Sequence, residues 1–232
     1  MTPWSIEKLG SLAEFKNGLN FAADSWGKGL KIIGVSDFGD RIFPDYDSLE
    51  EINPRGVARP QDMLEDDDIL FVRSNGNRQL IGRCLHVRRL REQVSHSGFT
   101  IRLRFKQVAD VHVPFYVYLF RSDVIRQVLS DFGGGTNINN LNQGILEQLR
   151  VPVPKRAEQE KIAAILSAYD DLIANNQRRI ALLEGMDLPR VVRADAVSGY
   201  RYFGVYEGHA GQLVSKEVGR ISCRVKATTQ EG

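Results

Sequence analysis

The segment Arg73-Ser74-Asn75-Gly76-Asn77-Arg78-Gln79 gathers six hydrogen-bonding side chains around one glycine. Asn or Gln can grip the edge of adenine through two hydrogen bonds, and Arg can do the same to guanine. Gly76 lets the backbone approach a ligand closely. A long polar hairpin loop draws on the same residue types, so the segment alone leaves both readings open. A second candidate is Gly134-Gly135-Thr136-Asn137-Ile138-Asn139-Asn140. Its glycines allow successive backbone N–H groups to face a phosphate. A helix C-cap followed by a turn has the same composition. A third group is Thr100, Arg102, Arg104 and Lys106, which alternate with apolar residues and would share one face of a strand. The resulting DNA-contact candidates are Arg73, Ser74, Asn75, Asn77, Arg78, Gln79, Arg102, Arg104, Gly135, Thr136, Asn137 and Asn139.

Signatures of catalysis are missing from these residues. GxxxxGK[ST] does not occur, and Gly133-Gly134-Gly135-Thr136 lacks the lysine that a phosphate loop needs. The chain has neither a GxGxxG turn opening a βαβ unit nor an Asn-Pro-Pro-aromatic run with a glycine-rich cofactor loop. It also lacks a His-Glu-x-x-His pair. Cys84 and Cys223 are the two cysteines, too few for a disulfide framework or a Cys-rich zinc site. His86, His96, His112 and His209 do not fall at metal-ligand spacing. Asp66, Asp67 and Asp68 are the best acid/base or metal candidates, although such a cluster before a strand is more often a solvated turn. Pro44-Asp45 could open a nuclease-like acidic motif, but no Glu-x-Lys follows at the right place. The chain therefore reads as non-catalytic, with no metal site.

The loops need a scaffold, and the sequence supplies one. Ile32–Val35, Ile69–Val72, Ile81–Val87 and Phe99–Lys106 read as strands. In the last, Thr100, Arg102, Arg104 and Lys106 are expected on an open face. Pro114 begins a helix expected to run through Phe132, stopped by Gly133 to Gly135. After Pro152-Val153-Pro154 the pattern turns helical. Ile162, Tyr169, Asn176 and Leu183 recur every seven residues, and Ile165 and Leu172 complete the seam. Leu166, Ile173 and Ile180 widen it. A helix of roughly 30 residues spans about 45 Å, longer than a small domain needs. Its apolar seam calls for another helix, with Asn176 setting register or partner; packing on its own domain is the alternative. The expected class is α+β: a mixed, mainly-β domain over residues 1–154, one coiled-coil-forming helix over 155–186, and an irregular tail over 187–232.

Composition fits a soluble protein of one or two domains, at 232 residues and 42% hydrophobic. No apolar run is long enough for a membrane span, and the N-terminus lacks a signal-peptide pattern, so the cytoplasm is expected. Net charge is only +2, but it is unevenly placed. Residues 37–68 hold eleven Asp or Glu against three Arg, while residues 72–106 hold nine Arg or Lys against Glu92 alone. A local field of one sign can act on a polyanion even in a nearly neutral chain. Alternatively, the two stretches are neighbouring faces that neutralise each other.

Taken in order, these segments resemble the specificity (S) subunit of type I restriction-modification enzymes. The likeness begins with Trp4 and Leu9-Gly10 and continues through Ile69-Leu70-Phe71-Val72-Arg73 and Ile81-Gly82. It is clearest from Gly134 to Glu184, through Gly135-Thr136-Asn137 and Leu149-Arg150-Val151-Pro152-Val153-Pro154 into the helix that begins at Glu158. The resemblance implies a reader of double-stranded DNA without catalysis of its own. Its recognition domain would enter the major groove and its helix would act as a spacer. Methylation (M) and restriction (R) subunits would dock around it. S-adenosylmethionine would come with the former, and ATP and Mg²⁺ with the latter, so no cofactor is expected on this chain.

The family pattern has two recognition domains and two helices that pair antiparallel, whereas this sequence has one of each. A homodimer through Ile162, Ile165, Tyr169, Leu172, Asn176 and Leu183 is therefore expected. In the family the helix is followed by a run like Arg-Glu-aromatic-Phe-Val and then Arg-Phe-Pro-Gly. Freely chosen codons for Pro189 to Tyr200, read one base along, can spell Arg-Glu-Leu-Phe-Val-Arg-Met-Arg-Phe-Pro-Gly. Around His209 to Gly219 the same shift can give Gly-Met-Pro-Gly-Asn-Trp. Residues 187–232 are accordingly expected to be a frameshifted remnant of a two-domain gene. Two readings compete with a DNA reader. One is the recognition fragment of a fused methyltransferase-nuclease, which needs catalytic motifs this chain lacks. The other is a helical assembly protein that does not touch DNA.

Overall fold

Ile69-Leu70-Phe71-Val72 is apolar at every position because its strand is covered on both faces. Ile69 and Phe71 join one apolar cluster, with Leu12, Ile101, Leu103, Phe115, Tyr116 and Phe120. Leu70 and Val72 join another, with Ile33, Phe38, Leu64, Leu85 and Val94. The computed structural model describes residues 4–22, 25–74, 80–106, 110–131, 141–185, 190–193 and 203–206. Its strands are β1 (Ser5–Lys8), β2 (Ala13–Asn17), β3 (Trp26–Ile33), β4 (Glu50–Ile52), β5 (Ile69–Val72), β6 (Cys84–His86), β7 (Val94–His96), β8 (Thr100–Phe105), β9 (Arg150–Val153), β10 (Arg190–Arg193) and β11 (Phe203–Tyr206). Its helices are α1 (Leu9–Leu12), α2 (Val113–Arg121), α3 (Asp123–Asp131), α4 (Gln143–Gln148) and α5 (Arg156–Gly185).

Two compact units divide the chain, Met1–Tyr169 and Asp170–Gly232. In the first, an antiparallel sheet has the order β2-β8-β5-β6. One face meets α1 to α4 across the larger apolar cluster. A three-stranded sheet, β4-β3-β7, shares the cluster on the other side. β7 runs parallel to β3, pairing Ile33 with His96. β1 pairs with β9, which ties the start of the chain to the approach to α5.

The mixed α+β architecture with a long helix agrees with the expectation; details of the elements differ. The strand expected at Ile32–Val35 begins earlier, at Trp26, and stops at Ile33. Beyond it the Asp37 carboxylate accepts the Gly34 N–H at 2.7 Å, turning the chain into a 3₁₀ helix. The expected single helix from Pro114 to Phe132 is two helices. Ser122 breaks it: its backbone is extended, its Oγ donates to the Leu119 carbonyl, and the same oxygen accepts the Ile125 N–H. A serine that caps the following helix cannot also continue the preceding one.

The first turns of α5 are locked to the first unit. Gln159 is fully buried; its Oε1 accepts the His112 N–H at 2.7 Å, and its Nε2 donates to the carbonyls of Asp110 and Pro154. Arg156 donates to the Val111 carbonyl. Ala163 is buried in the larger cluster and Ile162 packs against it. This corrects one expectation: Ile162 serves its own domain, because Gln159 anchors that face of the helix. The exposed seam starts at Ile165.

Within the second unit, α5 continues to Gly185 with Leu172, Ile173, Asn176, Ile180 and Leu183 exposed. β10 and β11 form an antiparallel pair, Val191 opposite Val205. These strands are the described part of the tail, and the rest of the proposed frameshifted remnant lies outside the described residues. Among the described residues no helix is long and apolar enough to cross a membrane.

Candidate nucleic-acid interface

β5 ends at Val72, and the backbone just beyond it is a junction. The Arg73 N–H donates to the Phe99 carbonyl at 2.8 Å, and the Ser74 N–H donates to the same oxygen at 3.3 Å. The Arg73 carbonyl accepts the Leu141 N–H at 2.8 Å. The Arg73 guanidinium donates to the Gly98 carbonyl at 3.2 Å. The return of the first loop is held as well, since the Gly82 N–H donates to Val72. Leu141 is buried and Asn142 caps α4, accepting the Ile145 N–H. Arg73 therefore joins the start of the 73–79 segment, the exit of the 134–140 segment, and the turn between β7 and β8. Asn75, Asn77, Arg78, Gln79, Gly135, Thr136, Asn137 and Asn139 lie outside the described residues. Their described flanks meet here, although the sequence separates them widely.

The β7–β8 turn is pinned from below. The Leu19 N–H donates to His96, the Gly98 N–H donates to Leu19 at 2.7 Å, and the Gly18 N–H donates to Thr100. A methyl on Gly98 would lie 2.1 Å from the Asn20 side-chain oxygen. His96 is buried beside this turn, with Nδ1 at 2.8 Å from the Thr100 hydroxyl oxygen. That hydroxyl donates to the Ser97 carbonyl, so its oxygen is left to accept from His96. The neutral ring therefore carries its proton on Nδ1. Burial, then the charges of Arg102 and Lys16, push the His96 pKa down to about 3, against a weaker upward pull from Asp62. At the tip, Phe99 is 63% exposed.

The expected open basic face of β8 is corrected. Thr100 is buried, and Arg102 is only 8% exposed, pointing toward the carbonyls of Gln61 and Met63. Arg104 binds Asp68 through two hydrogen bonds of 2.7 Å and also pairs with Glu65. Lys106 donates to the carbonyls of Gly10 and Ser11. Nearby, Lys16 pairs with Asp62 at 2.7 Å. The chain through residues 60–68 lies over this face, and its carboxylates neutralise it. Arg104 is held above the ordinary arginine range by its hydrogen bond to Asp68, while burial lowers Arg102. Arg102 and Arg104 thus serve the fold, and neither presents a free guanidinium to a ligand. Among the described residues of the basic stretch 72–106, exposed cationic side chains remain at Arg88, Arg89 and Arg91. The β5–β6 register, with Ile69 opposite His86, puts them at the other end of the sheet from Arg73.

The acidic turn is committed to structure. Asp66 accepts the Leu90 N–H, Asp67 lies 2.9 Å from His86 Nε2, and Asp68 accepts the Glu65 N–H. Burial lowers the His86 pKa against the pull of Asp67. Burial also pushes the Cys84 thiol up to about 12, far from the reactive thiolate range.

Sequence reasoning passed over Gly18, Gly98 and Phe99. Phe99 reads as the first residue of an alternating strand, yet it belongs to the turn. The Ser97-Gly98 pair before it was the available signal. Nothing local marks Gly18, whose constraint comes from a distant segment.

Residues 1–185 match the family model described as the type I restriction modification DNA specificity domain. The chain is 27% identical over 192 residues to the type I restriction enzyme StySPI specificity subunit of Salmonella potsdam, covering 79% of this chain and 38% of that one. It is 25% identical over 178 residues to the EcoKI specificity subunit of Escherichia coli K12, covering 77% and 36%. Its fold matches the crystal structure of the HsdS subunit from Thermoanaerobacter tengcongensis with a TM-score of 0.55 at 19% identity, over 77% of this chain and 40% of that one. The chain thus spans about two fifths of the length of these relatives.

Proposed function

We propose, on the premise that this chain belongs to the type I restriction modification DNA specificity domain family, that it is a sequence-specific reader of double-stranded DNA. It directs methylation and restriction subunits to a bipartite target and performs no catalysis itself. The observation that carries this reading is the convergence on Arg73 of the described flanks of two polar segments and of the β7–β8 turn. The residue types of those segments are ones that suit phosphates and base edges. S-adenosylmethionine belongs on the methylation subunit, and ATP and Mg²⁺ on the restriction subunit, all in the cytoplasm.

Arg73→Ala combined with Arg78→Ala is expected to weaken duplex binding about tenfold or more and to flatten its dependence on salt. Titration of randomised duplexes at several salt concentrations measures both. Unchanged binding and slope would favour a different reading face or an assembly protein that leaves DNA alone. Mapping methylated adenines in the host genome with and without the gene tests the reading in the cell.

The helix supplies the second half of the site. Ile165 is 60% exposed and Leu172 55%, and Tyr169 and Leu183 share the seam. Leaving such a stripe in water forfeits about 1.5–3 kcal/mol for each large side chain that a partner helix would bury. A second copy, paired through this seam, gives a two-fold reader of an inverted, interrupted sequence. The wild-type chain is expected to sediment as a dimer at micromolar concentration, and Ile165→Glu with Leu172→Glu as a monomer. A monomeric wild type would overturn the pairing.

A further inference from the structure

We infer that Phe99 reads a thymine methyl in the major groove, an inference that rests on the DNA-reading role proposed above. A singly exposed apolar side chain is ordinary on a protein surface, so exposure alone decides nothing. Of the other exposed aromatic rings of the first unit, Trp4 lies just before β1, Tyr169 lies on the helix seam, and two have ring neighbours. Trp26 packs edge-on against Phe21 with ring centres 5.1 Å apart, and Phe43 lies against His86. Among the described residues Phe99 has no ring partner, and it is the most exposed aromatic of the first unit.

Its base is the opposite of its tip. The Phe99 carbonyl accepts two N–H groups, from Arg73 and Ser74, and the residues on either side of it, Gly98 and Thr100, are buried. Beneath the turn, Gly18 admits no side chain because backbone carbonyls fill the space, and a side chain on Gly98 would displace that of Asn20. The ring is thus held on a backbone that cannot swing it inward, beside the arginine that opens the 73–79 segment. A rigid aromatic loses little entropy when it is covered. Arg73 and Ser74, bonded to its carbonyl, are of types that suit major-groove base edges, and the apolar feature of that groove is the thymine C5-methyl. The groove is about 12 Å wide, room enough for an element as broad as an α-helix. Arg73 and Ser74 would supply polar readout, and Phe99 the apolar readout of an adjacent T·A pair.

The test uses the full chain and a pool of duplexes with randomised centres. The wild type enriches a sequence from the pool, and each thymine of that sequence is then replaced in turn by deoxyuridine, which lacks the methyl. Removing one methyl contact is expected to weaken wild-type binding about fourfold at one position. Phe99→Ala is expected to weaken binding to the unmodified duplex about tenfold, to leave the salt slope unchanged because no phosphate contact is lost, and to be indifferent to deoxyuridine at that position. Thermal melting of Phe99→Ala should match the wild type, since the ring is outside the core. If the wild type enriches no sequence, the DNA-reading role itself fails. If it enriches one and Phe99→Ala binds it as tightly as the wild type, the role survives and the Phe99 inference is overturned. A weakened variant that still shows the full deoxyuridine penalty, or a wild type with no penalty at any thymine, also overturns it.

Discussion

Gly18→Ala destabilises the first unit by about 3 kcal/mol or more, the range expected when a methyl is forced into fixed backbone. A Cβ at Gly18 would lie 2.2 Å from the Ser97 carbonyl oxygen and 2.4 Å from that of His96. Both are main-chain atoms, so no side chain can rotate aside. Relief requires residues 18–20 to separate from 96–98. That separation breaks the hydrogen bonds Leu19 N–H to His96 and Gly98 N–H to Leu19, and strains Gly18 N–H to Thr100. It also lifts the β7–β8 turn that carries Phe99 and holds Arg73. Gly27→Ala is the matched control, because its Cβ would meet nothing closer than 3.7 Å. Urea unfolding of the two variants against wild type measures the difference. A loss below about 1 kcal/mol for Gly18→Ala would show that the contact yields more easily than fixed backbone allows.

The same junction shows what one chain of letters reveals and what it withholds. Ile69–Val72 was legible as a strand because a segment buried on both faces is apolar throughout, and the structure places β5 there. The long helix was legible from its seven-residue recurrence, and α5 runs Arg156–Gly185. The alternation from Phe99 to Lys106 correctly marked a strand with two unlike faces. It could not say that the polar face meets carboxylates rather than water, because Asp62, Glu65 and Asp68 arrive from a distant segment. The opposed charge stretches were visible, and their pairing is the reading of the two that the ion pairs favour. The meeting of Arg73, Phe99 and Leu141 rests on backbone hydrogen bonds, which no side-chain pattern encodes. Ile162 kept the heptad spacing and still turned inward, since Gln159, three residues earlier, anchors that side of the helix. Periodicity finds a stripe; tertiary contacts decide which part of it another molecule can touch.

Acid is expected to loosen this junction as pH falls below about 6.5. His96 is the main reason. Its folded pKa is near 3, against an ordinary value of 6.5. Because the folded pKa is depressed, the unfolded chain takes up the proton first. The stability contributed by a neutral His96 is therefore fully present above about pH 6.5 and declines as pH falls toward 3. Each pH unit in that window costs roughly 1 kcal/mol, several in all. Protonation in place would put a second proton on Nε2 and a charge in a buried site, and the charges facing that site include the guanidinium of Arg102 and the ammonium of Lys16, offset in part by Asp62. His86 and His112 are also depressed, chiefly by burial, and add to the same slope. His96→Asn isolates the contribution of this one ring, since its amide can still donate to the Thr100 hydroxyl while it does not titrate. Urea unfolding of wild type and His96→Asn at steps from pH 7 to pH 4.5 is expected to show a shallower fall for the variant, whatever its stability at pH 7. Equal slopes would mean that His96 is protonated in the folded chain, and that a charged ring is accommodated beside Arg102 after all.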